Sequence, residues 1–108
     1  MNNILIQLEG SDLSSRRTAA VVRQQILNAT QDGNQISVDL SEVKSISESY
    51  ADEAFGVIVA NKGLNWLVAN VHILSNRESV LKSIATAIRR RLKELELDLD
   101  DEESHALS

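Results

Sequence analysis

Residues 36–63, ISVDLSEVKSISESYADEAFGVIVANKG, constrain this fold more than any other stretch, because their hydrophobic period changes within one short span. Ile36, Val38 and Leu40 alternate with polar residues, as in a strand buried on one side. After a polar crossing, Ser49-Tyr50-Ala51-Asp52 has the pattern of a capping box. Ala51, Ala54, Phe55 and Ile58 then recur at helical spacing. A strand that feeds a helix through a short loop sets the helix N-terminus beside the strand's C-terminal end. Open α/β sheets place their functional surfaces there.

The flanking sequence builds outward from this unit. Ile4-Leu5-Ile6-Gln7-Leu8 reads as an opening strand, ended by the turn residues Glu9-Gly10-Ser11-Asp12. Ser14 or Ser15 can cap a helix running to about Ala29, with Ala19, Val22, Ile26 and Ala29 on one face. Gln31-Asp32-Gly33-Asn34 turns the chain into the strand at Ile36, which completes a βαβ unit with parallel strands. The central helix is expected over 50–62, with Gly63 as a left-handed C-terminal cap. Residues 64–69 fit a helical turn or a strand edge, and a short helix is favoured. Val71-His72-Ile73-Leu74 is the next strand, with His72 expected to be half-buried. Ser75-Asn76-Arg77-Glu78 reads as a second capping box, and Leu81, Ile84, Ile88, Leu92 and Leu95 stripe a long last helix. The expected architecture is a single α/β domain over 1–93, a small, mainly parallel sheet with covering helices. Residues 94–108 are expected to be a fraying helix end and a disordered acidic tail.

Composition narrows the function. A chain of 108 residues with 43% hydrophobic and 25% charged residues is one ordinary globular domain. Tyr50, Phe55 and Trp66 are its only aromatic residues, so Ile, Leu, Val and Ala must fill the core. Without cysteine there is no disulfide, thiolate metal site or cysteine nucleophile. The net charge of -5 argues against nucleic acid, whose phosphates require clustered cations. No run approaches the roughly 18 apolar residues of a membrane span, and the N-terminus lacks signal-peptide character. The expected location is the cytoplasm. His72 and His105 have no neighbours at ligand spacing, and the isolated glycines form no phosphate loop, so no metal or cofactor is expected.

The run Val38-Asp39-Leu40-Ser41-Glu42-Val43, followed by Ile46 to Gly56 with Ser49-Tyr50-Ala51-Asp52-Glu53-Ala54-Phe55-Gly56, resembles the STAS-like family of small bacterial proteins. Ser15-Arg16 and the strand before Ser75-Asn76 fit the same pattern, and the likeness covers roughly residues 4–90. More distantly the chain is similar to the STAS domains of anti-sigma factor antagonists. Those present the start of the corresponding helix to a kinase related to histidine-kinase ATPases, which phosphorylates a serine there. The resemblance implies a regulatory signalling role with such an ATPase as the candidate partner. The family context of that serine is Asp-Ser-Ser-Gly, whereas this chain has Ser47-Glu48-Ser49-Tyr50.

These residues allow several readings of the helix start. A helix N-terminus exposes unpaired N–H groups and about half a positive charge, so it tolerates a phosphate. Ser49 is the best-placed acceptor and Ser47 the second, and a phosphoserine would add roughly -1.5 to -2 charges to a docking surface. The plainer reading, which ranks ahead, makes Ser49 the N-cap. Glu48, Asp52 and Glu53 crowd the site with negative charge, as a docking surface for a basic partner or as simple complements of the helix dipole. Tyr50 is expected to be exposed as an interface aromatic. Arg16 and Arg17 at a helix start oppose the dipole and hint at a secondary contact, while Arg89-Arg90-Arg91 reads as a solvated helix end. The expectation is a non-enzymatic protein-binding module that docks through 45–53 by Ser47, Glu48, Ser49, Tyr50, Asp52 and Glu53. The alternatives are a small enzyme or nucleotide-binding protein using Asp39, Asp52 and Glu53, and a structural homo-oligomer.

Overall fold

The computed structural model describes the backbone of residues 2–107 and the side chains of residues 2–97. Three strands, β1 (Asn3–Gln7), β3 (Gln35–Asp39) and β5 (Val71–Leu74), form a parallel sheet with β3 at its centre. A separate parallel pair joins β2 (Asp12–Leu13) to β4 (Ser45–Ile46). Helix α1 (Arg16–Gln31) links β2 to β3. The central helix is one continuous rod in three parts: α2 (Glu48–Ala51), a π-helical turn (Asp52–Gly56) and α3 (Val57–Lys62). Helix α4 (Leu64–Asn70) and helix α5 (Glu78–Leu107) complete the chain. This is the α/β domain with a small parallel sheet that the periodicities require.

Sheet register explains the alternation in the strands. Ile4 pairs with Ile36 and Ile36 with Val71, and Ile6 pairs with Val38 and Val38 with Ile73. These two apolar rows point toward the helices, where Ile36 and Val38 are fully buried. Leu5, Ser37 and His72 form the intervening row on the open face. His72 is exposed there, not half-buried, and Leu5 and Leu74 on the flanking strands are exposed with it, so among the described residues that side of the sheet is left open. Parallel sheets are usually covered on both faces and then read as continuous apolar runs. The strict alternation of Ile36, Val38 and Leu40 is the sequence record of a sheet covered on one.

The core is aliphatic around two aromatic rings. Tyr50 and Phe55 are buried among Ile26, Leu40, Ile58, Val59 and Val80, while Trp66 packs at the margin. Full burial of each such side chain contributes roughly 1.5–3 kcal/mol. The favoured short helix at 64–70 is α4. It begins directly after Gly63, whose φ of 93° lies outside the range of most L residues. The ψ of 158° makes Gly63 an extended hinge between two helices rather than a left-handed cap.

The start signal of the last helix falls differently from the sequence expectation. Ser75 Oγ accepts from the Arg77 N–H at 3.1 Å, a local turn two residues long, so it does not close a box on Glu78. Helix α5 begins at Glu78 and continues through Leu107, and among its described side chains the last to pack on the core is Leu92. Most of the segment expected to fray or be disordered, 94–108, has side chains outside the described residues.

Candidate functional site

The loop and helix start at 45–53 are held by their neighbours before any side chain acts. The N–H groups of Lys44 and Ser45 donate to the Ser11 carbonyl, and the Ser47 N–H donates to the Leu13 carbonyl at 2.8 Å. Ser45 Oγ donates to the Asp12 carboxylate, which Ser11 Oγ also contacts at 3.1 Å. These hydroxyl bonds, Ser45 first, hold Asp12 below the usual carboxylate range. The chain therefore stays extended as far as Ser47.

Ser47, not Ser49, is the N-cap. Its backbone is extended at φ -72° and ψ 154°, and its Oγ accepts from the Tyr50 N–H at 3.1 Å. The helix starts two residues earlier than the Ser49 box predicts, because the β2–β4 pair ends the extended chain at Ser47. The apolar face of Ala51, Ala54, Phe55 and Ile58 is buried as its periodicity predicts, and the earlier start adds Tyr50 to the helix's first turn. Tyr50 occupies the third helical position and turns into the core, only 1% exposed, so it is no interface anchor. Ser49 occupies the second helical position and takes no part in the cap.

The three acidic residues are paired within the chain. Arg90 Nη1 lies 2.7 Å from Glu48 Oε2. Arg91 donates from Nε and Nη2 to the two Asp52 oxygens at 2.7 and 2.9 Å. Arg16 Nη1 donates to Glu53 Oε2 at 3.2 Å and lies 3.9 Å from Asp52. Arg23 Nη1 reaches Glu53 Oε1 at 3.2 Å. The acidic cluster is thus no unpaired docking surface for a basic partner. Arg16 and Arg90 also acquire roles that their sequence context hid: Arg16 offsets its unfavourable dipole position with Glu53, and Arg90 and Arg91 clasp the central helix. Asp52, accepting two hydrogen bonds, raises the Arg91 pKa above its ordinary value. Arg17 is exposed.

The π-helical turn sits under this network. The Val57 N–H bonds to the Asp52 carbonyl five residues back, which leaves the Glu53 carbonyl without its usual partner at Val57. Arg23 Nη1 donates to that carbonyl, so the register slip leaves no buried orphan there. Gly56 is the other requirement. A Cβ on Gly56 would meet Asp52 Oδ1 at 2.4 Å and Arg91 Cγ at 3.1 Å. The Ser-Tyr-Ala-Asp-Glu-Ala-Phe-Gly block therefore encodes packing: Tyr50, Ala51, Ala54, Phe55 and Gly56 are buried, and Asp52 and Glu53 face arginines.

Above the network lies a cleft of about 280 Å³, lined by Arg16, Glu48, Ser49, Asp52, Ala87, Arg90, Arg91 and Glu94. Ser49 is the hydroxyl on its wall. Asp39, the third carboxylate of the enzymatic alternative, sits at the end of β3, where its Oδ1 accepts from the Ser41 N–H at 2.9 Å. That bond holds its pKa below the usual range. Among the described residues no group of three or more His, Asp or Glu is arranged to hold a metal ion. Among them, no helix is long and apolar enough to cross a membrane.

The three-stranded parallel sheet with its covering helices makes this a small α/β domain. The chain belongs to the family described as STAS-like domain of unknown function, whose model matches residues 18–81. The match contains the whole central helix and Arg23 but stops short of Arg90 and Arg91. No curated protein and no solved structure matches the chain.

Proposed function

We propose that this protein is a non-enzymatic regulatory binding module that docks a protein partner through the surface formed by 45–53. The reading rests on the family and on one observation: Ser49 lines the cleft while Ser47 performs the capping. A hydroxyl at the second helical position, relieved of the cap, is available to a modifying enzyme without cost to the helix. Ser47 is the poorer acceptor, because modification would remove the oxygen that receives the Tyr50 N–H. The partner that the resemblance suggests is an ATPase of the histidine-kinase type, acting in the cytoplasm.

Phosphorylation of Ser49 would place roughly -1.5 to -2 charges in a cleft that already contains Arg16, Arg90 and Arg91. The dianion would compete with Glu48 for Arg90 and change the charge pattern that a partner meets. The fold is held by the apolar core and would persist. Docking is therefore gated by electrostatics, not by unfolding.

The test is a pull-down from host lysate with the wild-type protein and a Ser49→Asp variant, read by mass spectrometry, with circular dichroism on both. Capture of one ATPase by the wild type and its loss with the folded variant is the expected result. Equal capture by both removes the gating, and capture of no ATPase by either removes the docking assignment.

A further inference from the structure

Among the described residues, one apolar face of α5 is only partly covered by the rest of the chain. Leu81, Ala85, Ile88, Leu92 and Leu95 recur at alternating steps of four and three residues, the spacing of a two-helix seam. Leu81 and Leu95 are 41% and 36% exposed, Ala85 is exposed, and Ile88 and Leu92 are half-buried. The buried core contact of this helix, made by Val80, Ile84 and Ala87, is centred about a quarter turn away, and Ile88 and Leu92 touch only its edge. The same spacing continues in the sequence at Leu99.

The charges flanking the stripe select its occupant. At residues 89–93, Arg90 and Arg91 are held by Glu48 and Asp52, while Arg89 and Lys93 lie outside those pairs, and residues 94–103 contain seven carboxylates. Two such helices side by side in the same direction would align acid with acid. Reversing one sets the basic segment of each beside the acidic run of the other, with Leu92 against Leu95 of the second copy and Arg89 near its Glu96. We propose that α5 pairs in this antiparallel way with α5 of a second copy, making the protein a homodimer. The cleft at Ser49 lies on the side of Arg90 and Glu94.

The test is sedimentation velocity of the full chain over a dilution series. A reversible dimer is expected. Leu95→Glu should weaken it by at least about a hundredfold, and Arg89→Glu by about tenfold. Both variants should keep the wild-type circular dichroism and melting curve, since neither residue belongs to the core. The orientation is read from Ala85→Cys, the only thiol in an otherwise cysteine-free chain. In the antiparallel pair the two thiols lie about 25 Å apart along the axis and stay reduced. A monomer at every concentration, a dimer indifferent to Leu95→Glu, or a disulfide-linked dimer of Ala85→Cys would each overturn the proposal.

Discussion

Arg91 of α5 grips Asp52 of the central helix with two hydrogen bonds, at 2.7 and 2.9 Å, directly over the bare Cα of Gly56. The pair is partly buried, with side-chain exposures of 30% and 24%. Glycine is normally a poor choice inside a helix, by roughly 1 kcal/mol relative to alanine. Here it makes room for the ion pair that joins the two helices.

Gly56→Ala should therefore destabilise the fold, against the propensity scale. The added methyl displaces Asp52 from Arg91, an overpacking cost of about 1–3 kcal/mol that exceeds the propensity gain of about 1 kcal/mol. Urea denaturation should show a net loss of about 1 kcal/mol. In an Arg91→Ala background Asp52 has no ion pair to lose and is free to turn away from the methyl, so the same substitution should become neutral or stabilising.

Arg23→Met should cost more than a surface arginine does. It leaves the Glu53 carbonyl of the π-helical turn unpaired, at about 1–3 kcal/mol. The control is Arg17→Met at an exposed position on the same helix, which should stay within about 0.5 kcal/mol of wild type.

The two serines of the helix start separate cleanly. Ser47→Ala removes the N-cap bond to Tyr50 and should cost about 1 kcal/mol. Ser49→Ala should change stability by less than about 0.5 kcal/mol, since its hydroxyl caps nothing. Thermal melts of the two variants decide the assignment, and the reverse order would restore the Ser49 cap.

Tyr50 reports on the core at alkaline pH. Burial disfavours the phenolate and raises its pKa above 10. A group whose folded-state pKa is raised contributes stability that is intact below the unfolded value and is lost as pH rises through the folded one. Stability should thus be flat to about pH 10 and fall beyond it. Because Tyr50 is the only tyrosine, phenolate absorbance should rise together with the unfolding signal from the single tryptophan, Trp66. Titration at the ordinary value, with Trp66 fluorescence unchanged, would mean an accessible ring.

Much of the architecture was legible in the sequence because it rests on periodicity. Ile36, Val38 and Leu40 could alternate only on a sheet with one covered face, and Ala19, Val22 and Ile26 could share only a helical stripe. The short β2–β4 pair was not legible, since two residues per strand leave no period to read. Its consequence was large: by extending the chain to Ser47 it moved the cap by two residues, buried Tyr50 and released Ser49.

The longer elements and their faces can be read from the residues alone, because side-chain polarity repeats with the local backbone period whatever the rest of the chain does. Which charges meet was decided only by tertiary structure. Arg16, Arg23, Arg90 and Arg91 lie 30 to 42 residues from their carboxylates along the chain. Ion pairing depends on distance in space, and packing of α1 and α5 against the π-helical turn closes those distances to a few ångströms.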